Sequence, residues 1–339
     1  MRSEPAAEDG RRGVALVGAG YWGSRLARNL ARAPACSVRW VCDLDLGRAT
    51  EIGGPVGARA TSLLGEVLAD PRVDAVVVAT PACTHREVVA ACLDANRHVL
   101  VEKPLACSVP DARALAEVAR SRGIVMMCDH TYRFAPAVWV VRALLAADAL
   151  GALGSVDSVR SNHNHDQPDV DVFWDLAYHD LSILNFVLPA VARPTAVSAR
   201  SADVLGVGRA HAGDLTLHLA DGARAHVRVD WCAPQKVRTM TFAGVAGALT
   251  WDDLAPAGPR LELDARGATR LVPVDDREPL RLVVDEFLAA VTEGRAASCG
   301  PAEELAVLTL LEAATRSAAA GGTPVPVDVT AADTLEALP

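Results

Sequence analysis

The chain has 339 residues, half of them apolar, which exceeds most single cores and predicts two well-filled domains. Its 33 basic and 42 acidic residues leave a net charge of -9, and no basic run tracks a phosphate backbone, so nucleic acid is set aside as a partner. No stretch approaches about 18 uninterrupted apolar residues, so no membrane span is expected, and the eight cysteines never fall as Cys-x-x-Cys, which points to reduced thiols in a cytoplasmic protein.

Residues 1–12 are polar and read as a disordered tail without a signal peptide. Val14 to Val17 is a short apolar run that gives way to Gly18-Ala19-Gly20-Tyr21-Trp22-Gly23 and then to a helical pattern with Leu26 and Leu30 on one face, stopped by Pro34. A strand that turns through Gly-x-Gly-x-x-Gly into a helix is the context of a dinucleotide fingerprint, because the glycines let backbone approach a pyrophosphate seated on the helix N-terminus. The next strand, Val38 to Cys42, ends at Asp43, where a carboxylate can accept hydrogen bonds from ribose hydroxyls and repel a 2'-phosphate. Leu44, Asp45 and Leu46 follow it, and no arginine comes immediately to receive such a phosphate. NAD is therefore expected over NADP.

Ala75 to Ala79 is a β-branched run, as expected of a parallel strand buried on both faces. The alternation continues with a helix over Thr84 to Ala95, a strand over His98 to Val101, a helix over Asp111 to Arg120 and a strand over Ile124 to Cys128. This predicts a doubly wound parallel sheet over 13–133, whose ligands collect at the carboxyl ends of its strands. Thr80, Glu102-Lys103 and Asp129-His130 fall at such ends. Lysine occurs only at Lys103 and Lys236 among the 33 basic residues. Unlike arginine it can act as a compact ammonium donor that shifts its pKa. On position alone Glu102-Lys103 also reads as a surface pair before a proline; the shared rim favours a site.

Gly18 to Gly23, Ala79-Thr80-Pro81 with His85, Glu102-Lys103-Pro104, Tyr132-Arg133-Phe134-Ala135-Pro136 and Asp175-x-x-x-His179 together resemble, in that order, the glucose-fructose oxidoreductase / inositol dehydrogenase / rhizopine catabolism (Gfo/Idh/MocA) family. The resemblance covers nearly the whole chain from Gly13. It implies an α/β protein with an N-terminal Rossmann domain and, over 134–339, a substrate-binding and oligomerisation domain with a large, mostly antiparallel sheet. It also implies pyridine-nucleotide chemistry on sugars, cyclitols or nucleotide-linked sugars. Gly18, Gly20, Tyr21, Trp22, Gly23, Asp43, Thr80, Pro81, His85, Glu102 and Lys103 would then bind the cofactor, and Asp175 and His179 would share acid/base work with Lys103.

In the second half, Pro136 to Leu150 is helical, and Gly151 closes it. Period-two alternation through Val156 and Val159 leads into a polar run from Ser161 to Asp169. His163 and His165 sit at i, i+2 and are compatible with a divalent ion, but a wet loop facing a substrate explains them as well, and no metal is expected. On a helix Asp175 and His179 share a face. Tyr178 beside them is a reserve acid. The polar residues His130, Tyr132, Arg133, Asn162, His163 and Tyr178 suit a small polyhydroxylated substrate.

The stretch from Asp214 to Trp231 reads as a hairpin. A three-residue loop, Ala220-Asp221-Gly222 with Gly222 left-handed, pairs Leu217 with Ala225 and Leu215 with Val227 and makes one face wholly apolar. Thr216, His218, Arg224, His226 and Arg228 then form a polar face, the basis for expecting a homodimer or homotetramer. Strands follow near Thr239, Ala248 and Leu261, and helices over Leu280 to Thr292 and Ala302 to Ala320 finish the chain. An alcohol/ketone oxidoreductase is the leading function. An imine or double-bond reductase and a non-catalytic dinucleotide sensor are the alternatives.

Overall fold

The computed structural model describes residues 10–163, 169–265 and 267–329. Asn164 to Pro168 of the polar run, and most of the tail expected over 1–12, lie outside the described residues. The chain divides into two units, Met1–His130 with Leu280–Glu304 and Thr131–Pro279 with Leu305–Pro339. Sequence alone places a single boundary at 133; the return of Leu280–Glu304 to the first unit has no local signal.

The first unit carries β1 (Arg12–Val17), α1 (Tyr21–Arg32), β2 (Cys36–Cys42), α2 (Leu46–Gly53), β3 (Arg59–Thr61), α3 (Leu64–Ala69), β4 (Ala75–Val78), α4 (His85–Asp94), β5 (His98–Val101), α5 (Val109–Ser121) and β6 (Met126–Cys128). The strands pair in parallel in the order β3-β2-β1-β4-β5-β6. All four residues of β4 are buried, as the β-branched run requires of a strand covered on both faces. β1 starts at Arg12, inside the span 1–12 read from sequence as a tail. The order reverses between β1 and β4, the switch point at which such sheets bind ligands.

The second unit carries α6 (Pro136–Ala146), β7 (Leu153–Ser161), α7 (Tyr178–Val187), β8 (Pro194–Ala202), β9 (Ala212–Leu219), β10 (Arg224–Asp230), β11 (Val237–Gly244), β12 (Gly247–Asp252), β13 (Arg260–Ala265) and β14 (Ala268–Leu271). After them come α8 (Pro279–Glu293), α9 (Pro301–Ala319) and β15 (Val325–Pro326). α8 from Leu280 and the first turn of α9 belong to the first unit. The nine-stranded sheet runs β14-β13-β12-β11-β7-β10-β9-β8-β15, with β7 and β10 as its parallel pair among the described residues. Leu217 pairs with Ala225 and Leu215 with Val227, and Gly222 has φ +92°, the register that apolar matching requires. Arg224, His226 and Arg228 are exposed, while Ala225, Val227 and Val229 are buried. α6 ends at Ala146, short of the expected Leu150, because Asp148 turns left-handed at φ 54° ahead of Gly151. Asp175 does not stand on the predicted α-helix: Phe173–Ala177 is a π-helical turn that runs into α7 at Tyr178.

Candidate functional site

In the first unit the site is built on the carboxyl rim of the parallel sheet. Gly18 has φ +101°, and a Cβ there would lie 2.4 Å from the Ala79 carbonyl oxygen; one on Gly23 would lie 2.0 Å from the Gly18 carbonyl oxygen. Those two glycines therefore serve close packing of the turn on β4 and on itself. A Cβ on Gly20 would meet nothing within 4 Å, so this is the glycine that borders open space. Gly20 is the N-cap of α1 and makes no side-chain capping bond, and the first turn carries no acidic residue, which leaves a helix N-terminus suited to an anion. Tyr21 and Trp22 are 66% and 38% exposed beside it, edge to face at 5.5 Å, with the Arg25 guanidinium 4.2 Å from the Tyr21 ring centre. This turn fits the phosphate portion of a dinucleotide: an uncapped helix start, open space at one glycine and no acidic residue in the first turn of the helix.

Asp43 holds the turn from the next strand. Its Oδ2 accepts the Ala19 N–H at 2.7 Å and its Oδ1 accepts the Asp45 N–H at 2.9 Å, which leaves further lone pairs on both oxygens for hydroxyl donors. No arginine follows Asp43 immediately in sequence, but one approaches it in the fold. The turn of α2 brings Arg48 Nη2 to 3.7 Å from Asp43 Oδ1, while Arg48 Nε donates to Asp45 Oδ2 at 3.2 Å.

The turn Lys103-Pro104-Leu105 is held from two sides. His85, 1% exposed, has Nδ1 2.6 Å from the Pro104 carbonyl oxygen and Nε2 2.8 Å from the Thr80 carbonyl oxygen. His85, expected to bind cofactor, thus lies between the ends of β4 and β5 with a backbone carbonyl beside each ring nitrogen. On the other side Glu304 Oε1 accepts the Leu105 N–H at 3.0 Å, and Glu304 Oε2 lies 2.9 Å from His130 Nε2. His130 is 1% exposed, so its reading as a substrate contact is corrected as well: it packs in the wall behind the rim. Cys128, His130 and Glu304 offer ligand atoms within 4.8 Å of one another. The Glu304 carboxylate is already shared between a backbone donor and the histidine, the arrangement of a structural strap. Glu304→Ala would leave buried donors without their acceptor, a loss of about 3 kcal/mol at one to three per group. A urea titration should show a clearly lowered midpoint, with Glu304→Gln retaining much of the stability.

Lys103 itself is half-buried. Beneath it Glu102 and Asp129 follow the last registered pair of β5 and β6, Val101 with Cys128, so the two carboxyls are neighbours. Burial, then the Asp129 charge, pushes the Glu102 carboxyl well above its ordinary value, although Lys103 opposes the shift. The neighbouring buried carboxyls thus oppose each other's ionisation beside the ammonium.

In the second unit the polar residues gather around Tyr132. The His179 ring stands edge-on to it at 4.7 Å, and the guanidinium carbons of Arg160 and Arg238 lie 4.4 and 4.9 Å from its ring centre. Arg160 is fixed by a buried pair with Asp180, its Nε at 2.8 Å and Nη2 at 3.1 Å from the carboxylate, while Ser158 Oγ donates to the same group. Arg238 pairs with Asp253 at 3.2 Å. Asp175 is buried and accepts the Trp231 indole N–H at 2.9 Å. His179 and Tyr132 are half-buried, Asn162 is half-buried and His163 is exposed, so these four reach solvent. Two expected contacts do not. Tyr178 is fully buried, and Arg133 is 7% exposed with its guanidinium 4.4 Å from the Phe186 ring centre. Arg160, Asp180 and Glu304 were not singled out by sequence. The available signal was an arginine within a strand pattern and an aspartate directly after the histidine.

A switch-point glycine turn on a parallel sheet, an acid at the end of the second strand and a second unit with a mostly antiparallel sheet define a dinucleotide-binding oxidoreductase architecture. The description "Oxidoreductase family, NAD-binding Rossmann fold" of Gfo/Idh/MocA matches residues 12–130, and the Gfo/Idh/MocA C-terminal domain matches residues 138–250. The chain belongs to the Gfo/Idh/MocA family. Among solved structures it is similar to GenD2 from gentamicin A biosynthesis in complex with NAD, with 31% identity and a TM-score of 0.84 over 97% of this chain and 99% of that one. Inositol 2-dehydrogenase 1 of Saccharopolyspora erythraea is 29% identical over 93% of this chain and 96% of its own. 1,5-anhydro-D-fructose reductase of Ensifer adhaerens is 37% identical over 41% of this chain and 44% of its own. The chain thus spans less than half the length of that relative and of two further curated relatives, which are matched over 42% and 44%.

Proposed function

We propose that this protein interconverts a secondary alcohol and a ketone on a sugar, cyclitol or nucleotide-linked sugar, with NAD(H) as the redox partner. The observation that supports this most is Lys103: one of two lysines in the chain, half-buried on the rim that carries the glycine turn and backed by a carboxyl pair. The first unit would hold the dinucleotide and the second the polyhydroxylated substrate, whose hydroxyls suit Tyr132, Asn162, His163 and His179. NAD, when bound, supplies the two-electron acceptor for the carbinol carbon.

The residues of the chain divide the remaining work. Oxidation of a carbinol leaves its hydroxyl proton to be removed as electrons depart, and the oxygen carries developing negative charge. His179 takes that proton and returns it in reduction. The Lys103 ammonium donates to the same oxygen and steadies the charge. Asp175, anchored by Trp231, orients the histidine turn. The reading is tested by incubating the protein with NAD and a panel of cyclitols, sugars and nucleotide sugars while following absorbance of the reduced cofactor. Turnover of at least one polyol is expected. A protein that binds NADH but turns over none of them, and reduces an imine or conjugated alkene instead, would overturn it.

NAD over NADP is part of the same proposal. Asp43 stands where a 2'-phosphate would be repelled, and Arg48, the one cation brought beside it among the described residues, is shared between Asp43 and Asp45. NADH should be favoured over NADPH at least tenfold in kcat/KM, about 1.4 kcal/mol. Asp43→Ser should narrow the gap by freeing Arg48 for the phosphate. Equal kcat/KM for the two cofactors in the unmodified protein would remove this assignment.

A further inference from the structure

At the opposite edge of the parallel sheet, the amino ends of β1, β2 and β3 border a cavity of about 400 Å³ lined by Arg11, Arg39, Arg59 and Arg72, with Ser37 and Gly57 among the remaining lining residues. Among the described residues none that lines it is acidic, in a chain whose net charge is -9. Arg72 is balanced by Asp70, but Arg39 and Arg59 add like charge across a small space, and such a set is stabilised when an anion enters it.

Two of the four are held ready by the protein without being neutralised. The Arg59 guanidinium stacks on the Trp40 ring at 4.1 Å, a contact that uses the face of the group and leaves its N–H edge free. Arg39 is half-buried, and its Nε is a buried donor with no hydrogen-bond acceptor among the described residues. A buried unsatisfied donor costs about 1 to 3 kcal/mol, more for a charged group, and this guanidinium is not neutralised by a described neighbour. The nearby carboxylates are already engaged, Asp70 by Arg72 of the lining itself. Asp70 accepts from Arg72 Nη2 at 2.8 Å and from the Trp40 indole at 2.9 Å, and Asp74 accepts the Gly13 N–H at 2.7 Å. The Arg72 carbonyl and the Arg39 stem both lie against Gly13, where a Cβ would meet them at 1.8 and 3.4 Å, which puts these two linings on one spot of the edge.

We propose that this arginine-lined cavity is a second anion site that takes a phosphorylated small molecule, separate from the dinucleotide turn at the other end of the strands. Bidentate N–H pairs on Arg39 and Arg59 match phosphoryl oxygens, and the volume lies in the range of about 300 to 1,000 Å³ usual for small-molecule pockets, larger than one phosphate needs. The cavity shares no residue with the site of Lys103 and His179.

The test uses inorganic pyrophosphate as the probe, on the full-length protein saturated with NADH so that the glycine turn is filled, at constant ionic strength. Calorimetry should show one pyrophosphate bound per chain. Arg39→Ala and Arg59→Ala should each weaken it at least tenfold, with NADH affinity unchanged as the control for folding. Ser37→Asp, which places a negative charge in the cavity without removing an arginine, should weaken it by a similar factor. Absence of pyrophosphate binding in the NADH complex overturns the proposal, and so does binding that survives all three substitutions.

Discussion

Lys103→Met should lower turnover by about a hundredfold or more, roughly 2.7 kcal/mol, the usual scale for losing a positioned charge that steadies a developing oxyanion. Methionine keeps the length and flexibility of the stem and removes only the cation. Affinity for NADH should stay near its original value, because Gly20, the α1 N-terminus and Asp43 are untouched. Lys103 is one of the groups that lower the Glu102 pKa, so its loss shifts that carboxyl further toward its neutral form. Kinetics and a cofactor-binding titration on the same preparation separate these effects. Tyr178→Phe serves as the internal comparison. Tyr178 is fully buried, and removing its hydroxyl should leave turnover within a few-fold of normal. An active Lys103→Met beside an inactive Tyr178→Phe would hand the proton chemistry to the tyrosine and sink the assignment.

The first unit was legible because its signals are local. The run Ala75 to Val78 can only satisfy so many β-branched side chains inside a sheet, and Gly18 at φ +101° is a backbone demand that sequence displays directly. The hairpin register was legible for a related reason: a slip of one residue would turn Leu215, Leu217 and Val227 to solvent. Legibility failed where a side chain's partner is distant in the chain. His130 looks like a polar residue at a strand end, and only the fold brings Glu304, 174 positions later, against it. His85 reads as a helix-start histidine, and its commitment to two carbonyls depends on where β4 and β5 end. Short elements such as β3 and β15 carry too few residues for any period to emerge.

The π-helical turn is a different kind of miss. Phe173 to Tyr178 has the composition of an ordinary helix start, and nothing in residue type announces the wider turn. Insertions of this kind occur mostly at functional sites, where the ladder is disturbed to aim a side chain. Here the turn carries Asp175 to the Trp231 indole and delivers His179, the second residue of α7, to the Tyr132 ring. Arg160 and Arg238 over the same ring give this part of the second unit two cations, each balanced by its own carboxylate. The hydroxyls of the proposed substrate would then meet hydrogen-bonding groups without facing unbalanced charge.

His179→Gln should lower turnover by about a hundredfold, the lower end of the range for a general acid or base. Glutamine keeps the polar character of the position and has no titrating group, so the decisive readout is the pH profile. Histidine accepts a proton only in its neutral form and titrates near neutrality. In the direction of alcohol oxidation kcat should therefore rise with pH through the neutral range in the unmodified protein, and in the direction of ketone reduction it should fall. Both slopes should vanish in His179→Gln, leaving a low and flat rate. A merely structural histidine would give a different pattern: turnover would fall while the neutral-range slope persisted. That outcome would move the proton transfer to another group and leave Lys103 as the only assigned catalytic side chain.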